Sequence, residues 1–211
     1  MTVKLLVPEK PPGVILAGGR SMRMGQDKAQ VLLAGQTLLT HVITRLSPQL
    51  SSLAINAPAG FQPPENLTLV PDTLPGHRGP LAGILAAMRY AKTLSPAASH
   101  VLSAPVDSPF LPENLVKRLQ QAIDEGHEIA AAASRSAMHP VCGLWPVEIA
   151  DALQSFLETP ENPRVKTFLS RYDTVEVDFP DIATAIGPLD PFLNVNTPDE
   201  LHTAHRYLEA L

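Results

Sequence analysis

The stretch of the chain best suited to chemistry is a glycine-containing loop with several cations. An apolar run over 14–17 ends at Gly18-Gly19 and is soon followed by Arg20, Arg23 and Lys28. Glycine has no Cβ, so successive backbone N–H groups can turn toward phosphate oxygens. Arginine and lysine then supply the formal charge that backbone dipoles lack. The stretch predicts a polyphosphate site at the end of a buried strand.

The glycine loop departs from the two best-known phosphate loops. The Gly-Lys-Ser/Thr ending of a Walker loop is absent, and so is the G-x-G-x-x-G spacing of a dinucleotide fold. A glycine pair after a strand is also common in plain turns. The cations and Gly25 favour phosphate binding over a plain turn.

Polar residues follow three other apolar runs of the chain. Asn56, Asp72 and Asp107 each come at or just after the end of such a run, as Gly18 does. Ligands of open α/β sheets bind outside the carboxyl ends of the strands, so these residues are expected along one edge. Asn56 and Asp72 are also common turn formers, and Asp107 could be a helix cap. Beside phosphates, however, a carboxylate is a natural Mg²⁺ ligand.

The pattern LAGG-x-x-x-RMG-x-DK at 16–28 resembles the signature loop of nucleotidyltransferases that build nucleoside-diphosphate conjugates. Within that group it is most similar to the molybdenum cofactor guanylyltransferases. Further blocks resemble the family in the same order, at 71–84, 104–112, 139–145 and 192–201. The cytidylyltransferase branch usually has LAAG and lacks GPLAGI, so the guanine type is favoured.

The resemblance implies transfer of GMP from GTP to the terminal phosphate of molybdopterin, supported by Mg²⁺, with release of pyrophosphate. A phosphate monoester is already an anion near neutral pH, since its second pKa is about 6, so no general base is required. The implied catalytic residues are Arg23, Lys28 and Asp107, of which Asp107 binds the metal. The implied GTP-binding residues are Leu16, Ala17, Gly18, Gly19, Lys28, Asn56, Asp72, Gly79 and Asp107. The implied molybdopterin-binding residues are His139, Arg164, Asn194 and Asn196.

One departure from the family lies in the loop itself. Many relatives have two consecutive arginines where this chain has Met22-Arg23. One phosphate cation is therefore missing, and Arg20 could replace it. Which arginine meets the γ-phosphate stays open.

Apolar periodicity and the resemblance together predict an α/β fold. We expect a three-layer α/β/α, Rossmann-like, glycosyltransferase-A-like single domain with a mostly parallel sheet. About 12–110 would bind GTP and about 111–211 molybdopterin. Predicted strands are 14–17, 52–57, 67–70, 100–106, 128–133, 141–145, 174–179 and 192–195. Predicted helices are 37–50, 112–125 and 146–158, with others beginning near 81, 162 and 198.

Two local predictions concern the second half of the chain. The segment 135–140 is expected to be a loop that carries His139 beside the second substrate. Asn194 and Asn196 lie two apart in a predicted strand, so their side chains would share a face. Thr197-Pro198-Asp199-Glu200 has the form of a capping box at the start of the last helix.

Composition excludes several classes of protein. The net charge of −5 does not favour binding to nucleic acid or to an anionic membrane. The single cysteine, Cys142, indicates a reducing compartment, and its apolar neighbours favour an inert thiol. The first residues lack the features of a signal peptide, which predicts a cytoplasmic protein.

Rival functions stay open at this point. A related enzyme acting on CTP or a sugar phosphate would share the loop. A non-catalytic adaptor that binds GTP or the cofactor is the alternative of another class. The resemblance also implies transient contacts with molybdopterin-synthesis proteins and with molybdoenzyme apo-proteins or their chaperones.

Overall fold

A seven-stranded sheet with helices on both faces organises the chain. The computed structural model describes residues 10–18, 28–64, 67–75, 79–94, 98–159 and 164–211. The strands of the main sheet are β1 (Gly13–Leu16), β4 (Leu53–Asn56), β5 (Thr68–Leu69), β6 (His100–Pro105), β7 (Ile129–Ser134), β8 (Ala137–Pro146) and β9 (Thr174–Asp178). Two small hairpins add β2 (Leu32–Leu33) with β3 (Gln36–Thr37), and β10 (Ile182–Thr184) with β11 (Gly187–Leu189). The helices are α1 (Leu38–Leu46), α2 (Pro80–Leu94), α3 (Leu115–Asp124), α4 (Ala150–Glu158), α5 (Val165–Leu169) and α6 (Pro198–Glu209).

The strand order in the main sheet is β5-β4-β1-β6-β8-β7-β9. Strand β8 runs antiparallel to β6 and β7, and the other described pairings are parallel. Leu16 at the end of β1 stands in register with Asn56 of β4 and Pro105 of β6. These strands therefore finish together at one side of the sheet, called here the carboxyl edge. The predicted mostly parallel α/β sheet is confirmed.

Each face of the sheet is covered by its own apolar cluster. Successive side chains of β1 point to opposite faces, so Ile15 packs with α1 and α3 while Val14 packs with α2, α4 and α5. Both residues are fully buried. This alternation confirms the predicted three layers.

A third cluster packs the segment after the glycine loop against the C-terminal helix at the carboxyl edge. Val31 and Leu33, which follow the glycine loop, pack with Phe110 after β6 and with Val195 and Ala204 near α6. The packing brings segments distant in sequence against the end of β6. It determines which polar side chains can meet there.

Three local predictions differ from the structure. The helix predicted over 37–50 ends at Leu46 and continues as a 3₁₀ turn, because Pro48 cannot extend the α-helical hydrogen bonds. The segment 135–140 is not a loop. Arg135 and Ser136 form a turn with φ of 48° and 62°, and β8 begins at Ala137, so His139 is a strand residue.

The strand predicted over 192–195 is also wrong. Backbone N–H groups of this segment bond to a side chain and to a loop carbonyl: Phe192 N to Asp190 Oδ1 at 2.9 Å, and Val195 N to Asp107 O at 2.9 Å. Asn194 and Asn196 therefore do not share a strand face. Their side chains go to different partners, as described below.

Ser103 offers a stability test away from the carboxyl edge. It is fully buried in β6, donates to Val141 O at 2.6 Å and accepts from Trp145 Nε1 at 2.8 Å. We expect Ser103→Ala to lower the free energy of unfolding by about 1–3 kcal/mol, because two buried groups lose their partner. Urea unfolding measures this, and an unchanged midpoint would contradict it.

No helix in the described part of the chain is both long and apolar enough to cross a membrane.

Candidate functional site at the carboxyl edge

The centre of the candidate site is a contact between three segments of the chain. Lys28 Nζ donates to Asp107 Oδ2 at 2.7 Å and also to Asn196 Oδ1. Lys28 begins a 3₁₀ turn after the glycine loop, Asp107 follows β6, and Asn196 precedes α6. The two charged side chains keep 21% and 16% of their surface exposed, so a ligand can reach both.

The start of α6 supports the position of Asn196. Thr197 accepts a hydrogen bond from Glu200 N at 3.2 Å, as a capping box requires. The Glu200 carboxylate accepts from Asn196 N at 2.7 Å, one residue earlier than in the usual box. The predicted cap is confirmed, and it also holds the backbone of a site residue.

A second polar pair lies at the ends of β4 and β5. Asn56 is only 3% exposed, and its amide donates to Val70 O at 2.9 Å and to Asp72 Oδ1 at 2.9 Å. Asp72 itself is exposed. Asn56 thus holds one oxygen of Asp72 and leaves the carboxylate accessible. A Cβ on Gly18 would lie 3.4 Å from Asn56 Oδ1, which places the start of the glycine loop beside this pair.

The start of α2 packs against the same pair. Gly79, exposed and with φ of 69°, precedes Pro80 at the first helical position. Ala17, after β1, donates its N–H to Asn56 O at 2.8 Å, while Leu16 is half-buried above α2. The structure therefore brings these residues to one place with Gly18 and Asn56.

Gly83 in α2 is expected to tolerate no side chain. A Cβ at this position would lie 2.5 Å from Asn56 Oδ1 and 3.1 Å from Leu16 Cδ2. Alanine gains up to about 1 kcal/mol of helix propensity over glycine. Asn56 cannot retreat, because its amide makes two hydrogen bonds, so strain of about 1–3 kcal/mol outweighs this gain. We expect Gly83→Ala to lower the melting temperature and to weaken GTP binding.

The measurement is thermal unfolding with and without GTP. Gly60→Ala is the control, because a Cβ on Gly60 meets nothing within 4 Å. Equal melting temperatures for the two variants would contradict the close approach of α2 to Asn56.

A cavity of about 340 Å³ lies next to Asp107, between the end of β6 and the start of β8. Its wall includes His139, Phe192, Asn194 and Ser108. Ser108 Oγ donates to Asn194 Oδ1 at 2.7 Å, which anchors Asn194 at the cavity. The cavity is of the size that small-molecule sites have.

His139 is held by groups that sequence reasoning did not single out. Its Nε2 lies 2.7 Å from Ser134 Oγ, and Ser134 Oγ donates to Asp190 Oδ1 at 2.8 Å. The ring stacks on Phe192 with centroids 4.5 Å apart. Burial lowers the pKa of His139, an effect that the Asp190 charge partly opposes. Ser134, a polar residue at the end of a buried strand, was the only feature of the sequence that could have indicated this network.

Several predicted residues do not join these contacts. Arg164 is exposed at the start of α5, and its side chain has no hydrogen bond or ion pair with a described residue. Gly19, Arg23 and the alternative cation Arg20 lie outside the described residues. Their roles stay predictions.

Cys142 lines the cavity but is not a usable nucleophile. The side chain is 1% exposed, and burial raises the pKa of its thiol to about 12. The thiolate is therefore negligible at neutral pH. This agrees with the inert thiol expected from the sequence.

The donors at the carboxyl edge fit a divalent cation that is shared with a substrate. Among the described residues, no three His, Cys, Asp or Glu side chains come together as a metal cage. Mg²⁺ commonly uses only one or two carboxylates and takes its other ligands from water and phosphate. The Asp107 carboxylate, with amide oxygens of Asn194 and Asn196 on neighbouring segments, offers donors of this kind.

Comparison with known proteins agrees with this arrangement. Residues 13–175 match the family described as the MobA-like NTP transferase domain. The chain is 54% identical to a molybdenum cofactor guanylyltransferase of Sinorhizobium fredii over 202 residues, covering 95% of this chain and 93% of the relative.

Solved structures confirm the fold. The molybdopterin-guanine dinucleotide biosynthesis protein A of Archaeoglobus fulgidus superposes with a TM-score of 0.72 at 20% identity, covering 94% of this chain and 98% of that one. The manganese complex of Rv0371C from Mycobacterium tuberculosis has a TM-score of 0.64 at 16% identity, covering 96% and 100%. The chain belongs to the MobA-like NTP transferase family and is a nucleotidyltransferase of the molybdenum cofactor guanylyltransferase group.

Proposed function

We propose that this protein transfers GMP from GTP to the terminal phosphate of molybdopterin, forming molybdopterin guanine dinucleotide and releasing pyrophosphate. The observation that carries the proposal is the contact of Lys28 with Asp107 and Asn196 beside the glycine loop, in a chain whose relatives are named for this reaction. It places a cation, a carboxylate and a neutral amide where a strand-end phosphate site is expected.

The chemistry needs charge stabilisation more than proton transfer. An oxygen of the molybdopterin phosphate attacks the α-phosphorus of GTP, and the bond from that phosphorus to the β-phosphate oxygen breaks. The electron pair leaves with pyrophosphate. Since the nucleophile is already an anion, the protein must bring two anions together and stabilise the charge on the leaving group. Lys28 supplies a positive charge for this, and Arg23 is proposed to supply another.

The nucleotide half of the site is proposed to lie along β1, β4 and α2. Leu16, Ala17, Gly18 and Gly19 are kept as nucleotide contacts in this proposal, with the backbone N–H groups of Gly18 and Gly19 facing the phosphates. Asn56 holds Asp72 with its carboxylate accessible to donor groups of the nucleoside, and Gly79 lies at the adjoining start of α2. This corresponds to the GTP part predicted at about 12–110.

The acceptor half is proposed to be the cavity beside Asp107. His139 and Asn194 line it, and Asn196 contacts Lys28, which also donates to Asp107 at the cavity wall. Arg164 is kept as a proposed contact on the same substrate. In this proposal the part at about 111–211 would meet the GTP part at Asp107, where the transferred phosphate would lie.

A divalent cation is part of the proposal, and we propose Mg²⁺. The neighbour complexed with manganese supports a divalent metal in this fold. Asp107 would hold the cation, which when bound would neutralise phosphate charge. Lys28 Nζ pairs with Asp107 Oδ2 at 2.7 Å in the structure, which holds the carboxylate in place.

A cytoplasmic location and brief contacts with molybdopterin-synthesis proteins, molybdoenzyme apo-proteins or their chaperones also belong to this proposal. Such a partner would deliver the acceptor or take up the product.

The direct test is pyrophosphate release with GTP, CTP, ATP or UTP, each with and without molybdopterin. We expect release with GTP only, and only when molybdopterin is present. Equal release with CTP would support the cytidylyltransferase alternative. A GTP-dependent rise in melting temperature without any release would instead indicate a binding adaptor.

A further inference from the structure

A hydrogen-bonded chain of side chains lies behind the cavity wall at the acceptor half of the site. Ser134 Oγ lies 2.7 Å from His139 Nε2 and 2.8 Å from Asp190 Oδ1. The same Asp190 oxygen accepts from Phe192 N at 2.9 Å. Ser134 is 1% exposed, so water does not reach this series of hydrogen bonds from the serine side.

Counting protons assigns the tautomer of His139. A carboxylate only accepts hydrogen bonds, so the single hydroxyl proton of Ser134 goes to Asp190. The serine oxygen can then only accept from the imidazole, which therefore carries its proton on Nε2. Nδ1 keeps its lone pair, and it has no hydrogen-bond partner among the described residues. Burial of the ring favours the neutral form that has this lone pair.

The orientation of the ring is fixed as well as its tautomer. His139 stacks on Phe192 at an interplanar angle of 21°. Phe192 is 3% exposed and meets the edge of Phe179 at 5.4 Å, so it is a firm support. Since Nε2 is turned to Ser134 and the ring lines the cavity, Nδ1 is the nitrogen left for a ligand.

We propose that Ser134 and Asp190 are positioning residues that hold His139 with Nδ1 as a hydrogen-bond acceptor for an N–H donor on the heterocycle of the acceptor substrate. The inference rests on the proposed function, which makes that heterocycle a pterin. Pterin rings carry an amino group and ring N–H groups, which suit a fixed acceptor. A phosphate has no N–H to donate, so it would not use Nδ1 in this form.

The charges around the cavity fit this assignment. Lys28 is paired with Asp107 at the phosphate end, and Arg135 at the β7–β8 turn is paired with Asp181 at 2.8 Å. The Arg135 guanidinium donates to Asp181 and to Pro188 O. The anionic end of the acceptor would therefore lie toward Lys28, and its ring toward His139.

The experiment compares Ser134→Ala, Asp190→Ala and the control Ser103→Ala in steady-state GMP transfer. Ser103 is another buried serine with two hydrogen bonds, and its own side chain does not line the cavity, although its partner Val141 does. We expect the KM for molybdopterin to rise about tenfold in the first two variants, the size of one lost hydrogen bond, with kcat and the KM for GTP unchanged. The control should keep all three constants.

Two further readouts separate positioning from a general loss of structure. In a His139→Ala background, adding Ser134→Ala should not raise the KM again, because the serine acts only through the imidazole. The ¹⁵N chemical shifts of the His139 ring, identified by difference against His139→Ala, should show the proton on Nε2 in the parent protein and a mixture of tautomers in Ser134→Ala.

The outcomes are distinguishable from failure of the proposed function. If the parent protein releases no pyrophosphate from GTP and molybdopterin, the proposed function fails, whatever the tautomer. If it is active but the KM stays at the parent value in Ser134→Ala, or the proton is found on Nδ1, the positioning inference is overturned. A further rise of KM in the double variant would overturn it too.

Discussion

We expect Lys28→Ala to lower single-turnover GMP transfer by ~100-fold or more, a loss of about 2.7 kcal/mol or more in transition-state stabilisation. The ammonium of Lys28 lies 2.7 Å from Asp107 and also contacts Asn196, at the edge where the phosphates are expected. Alanine removes a positive charge from a site that must hold two anionic substrates. It also leaves Asp107 without the cation that pairs with it in the structure.

The control for this prediction is another partly buried, ion-paired cation. Arg45 in the last turn of α1 pairs with Glu113 at 2.9 Å, and neither residue belongs to the candidate site. Arg45→Ala should transfer GMP at the parent rate. A near-parent rate in Lys28→Ala as well would refute the role of Lys28.

Arg23 is expected to show a loss of similar size. Its position outside the described residues leaves this prediction to rest on the loop pattern and its charge. The Arg23→Ala variant is measured in the same single-turnover assay, and Arg20→Ala beside it identifies which arginine the phosphates need. Parent rates in Arg23→Ala would remove this residue from the catalytic set.

The sheet and its carboxyl edge were predictable because they depend on local patterns. A short apolar run that ends in a polar or glycine residue indicates a buried strand and its last position, as at Gly18, Asn56 and Asp107. Parallel strands then bring those ends to one edge without any long-range information. The register of Leu16 with Asn56 and with Pro105 bears this out.

The contacts within the site were not predictable, because they join residues far apart in the chain. Lys28 meets Asp107 across 79 positions and Asn196 across 168. Ser134 meets Asp190 across 56 positions, and neither residue belongs to a motif with a mechanism attached to it. The third apolar cluster packs the segment after Lys28 with the segments that carry Asp107, Asp190 and Asn196, so tertiary packing brings these residues together.

The error over 192–195 has the same origin. The alternation of apolar and polar residues there is what a strand would show. In the structure Phe192 packs into the cluster on the α1 and α3 face and Val195 into the third cluster, while the backbone bonds to Asp190 and Asp107 instead of to a strand. Tertiary packing therefore decided the conformation. Asn194 and Asn196 still lie at the site, but their side chains bond to different partners.

Asp107→Asn is expected to abolish turnover that depends on a divalent metal while leaving the fold intact. Asparagine has the shape of aspartate and can still accept from Lys28, and the backbone oxygen of residue 107 still accepts from Val195 N. What is lost is the negative charge, and a hard cation binds a neutral amide oxygen far more weakly than a carboxylate. The measurement is GMP transfer titrated with Mg²⁺, together with circular dichroism and Mn²⁺ binding by electron paramagnetic resonance in the presence of GTP.

Asp151→Asn is the matched control, because Asp151 is an aspartate ion-paired with Arg89 at 3.2 Å. The Asp151 side chain is 83% exposed. An exposed pair of this kind contributes little to stability, so this variant should keep the parent fold, metal binding and rate. An unfolded spectrum for Asp107→Asn would make Asp107 a structural residue. A folded Asp107→Asn protein with parent Mn²⁺ affinity would place the cation on other groups, and Lys28 would then be a partner of Asp107 for structural reasons alone.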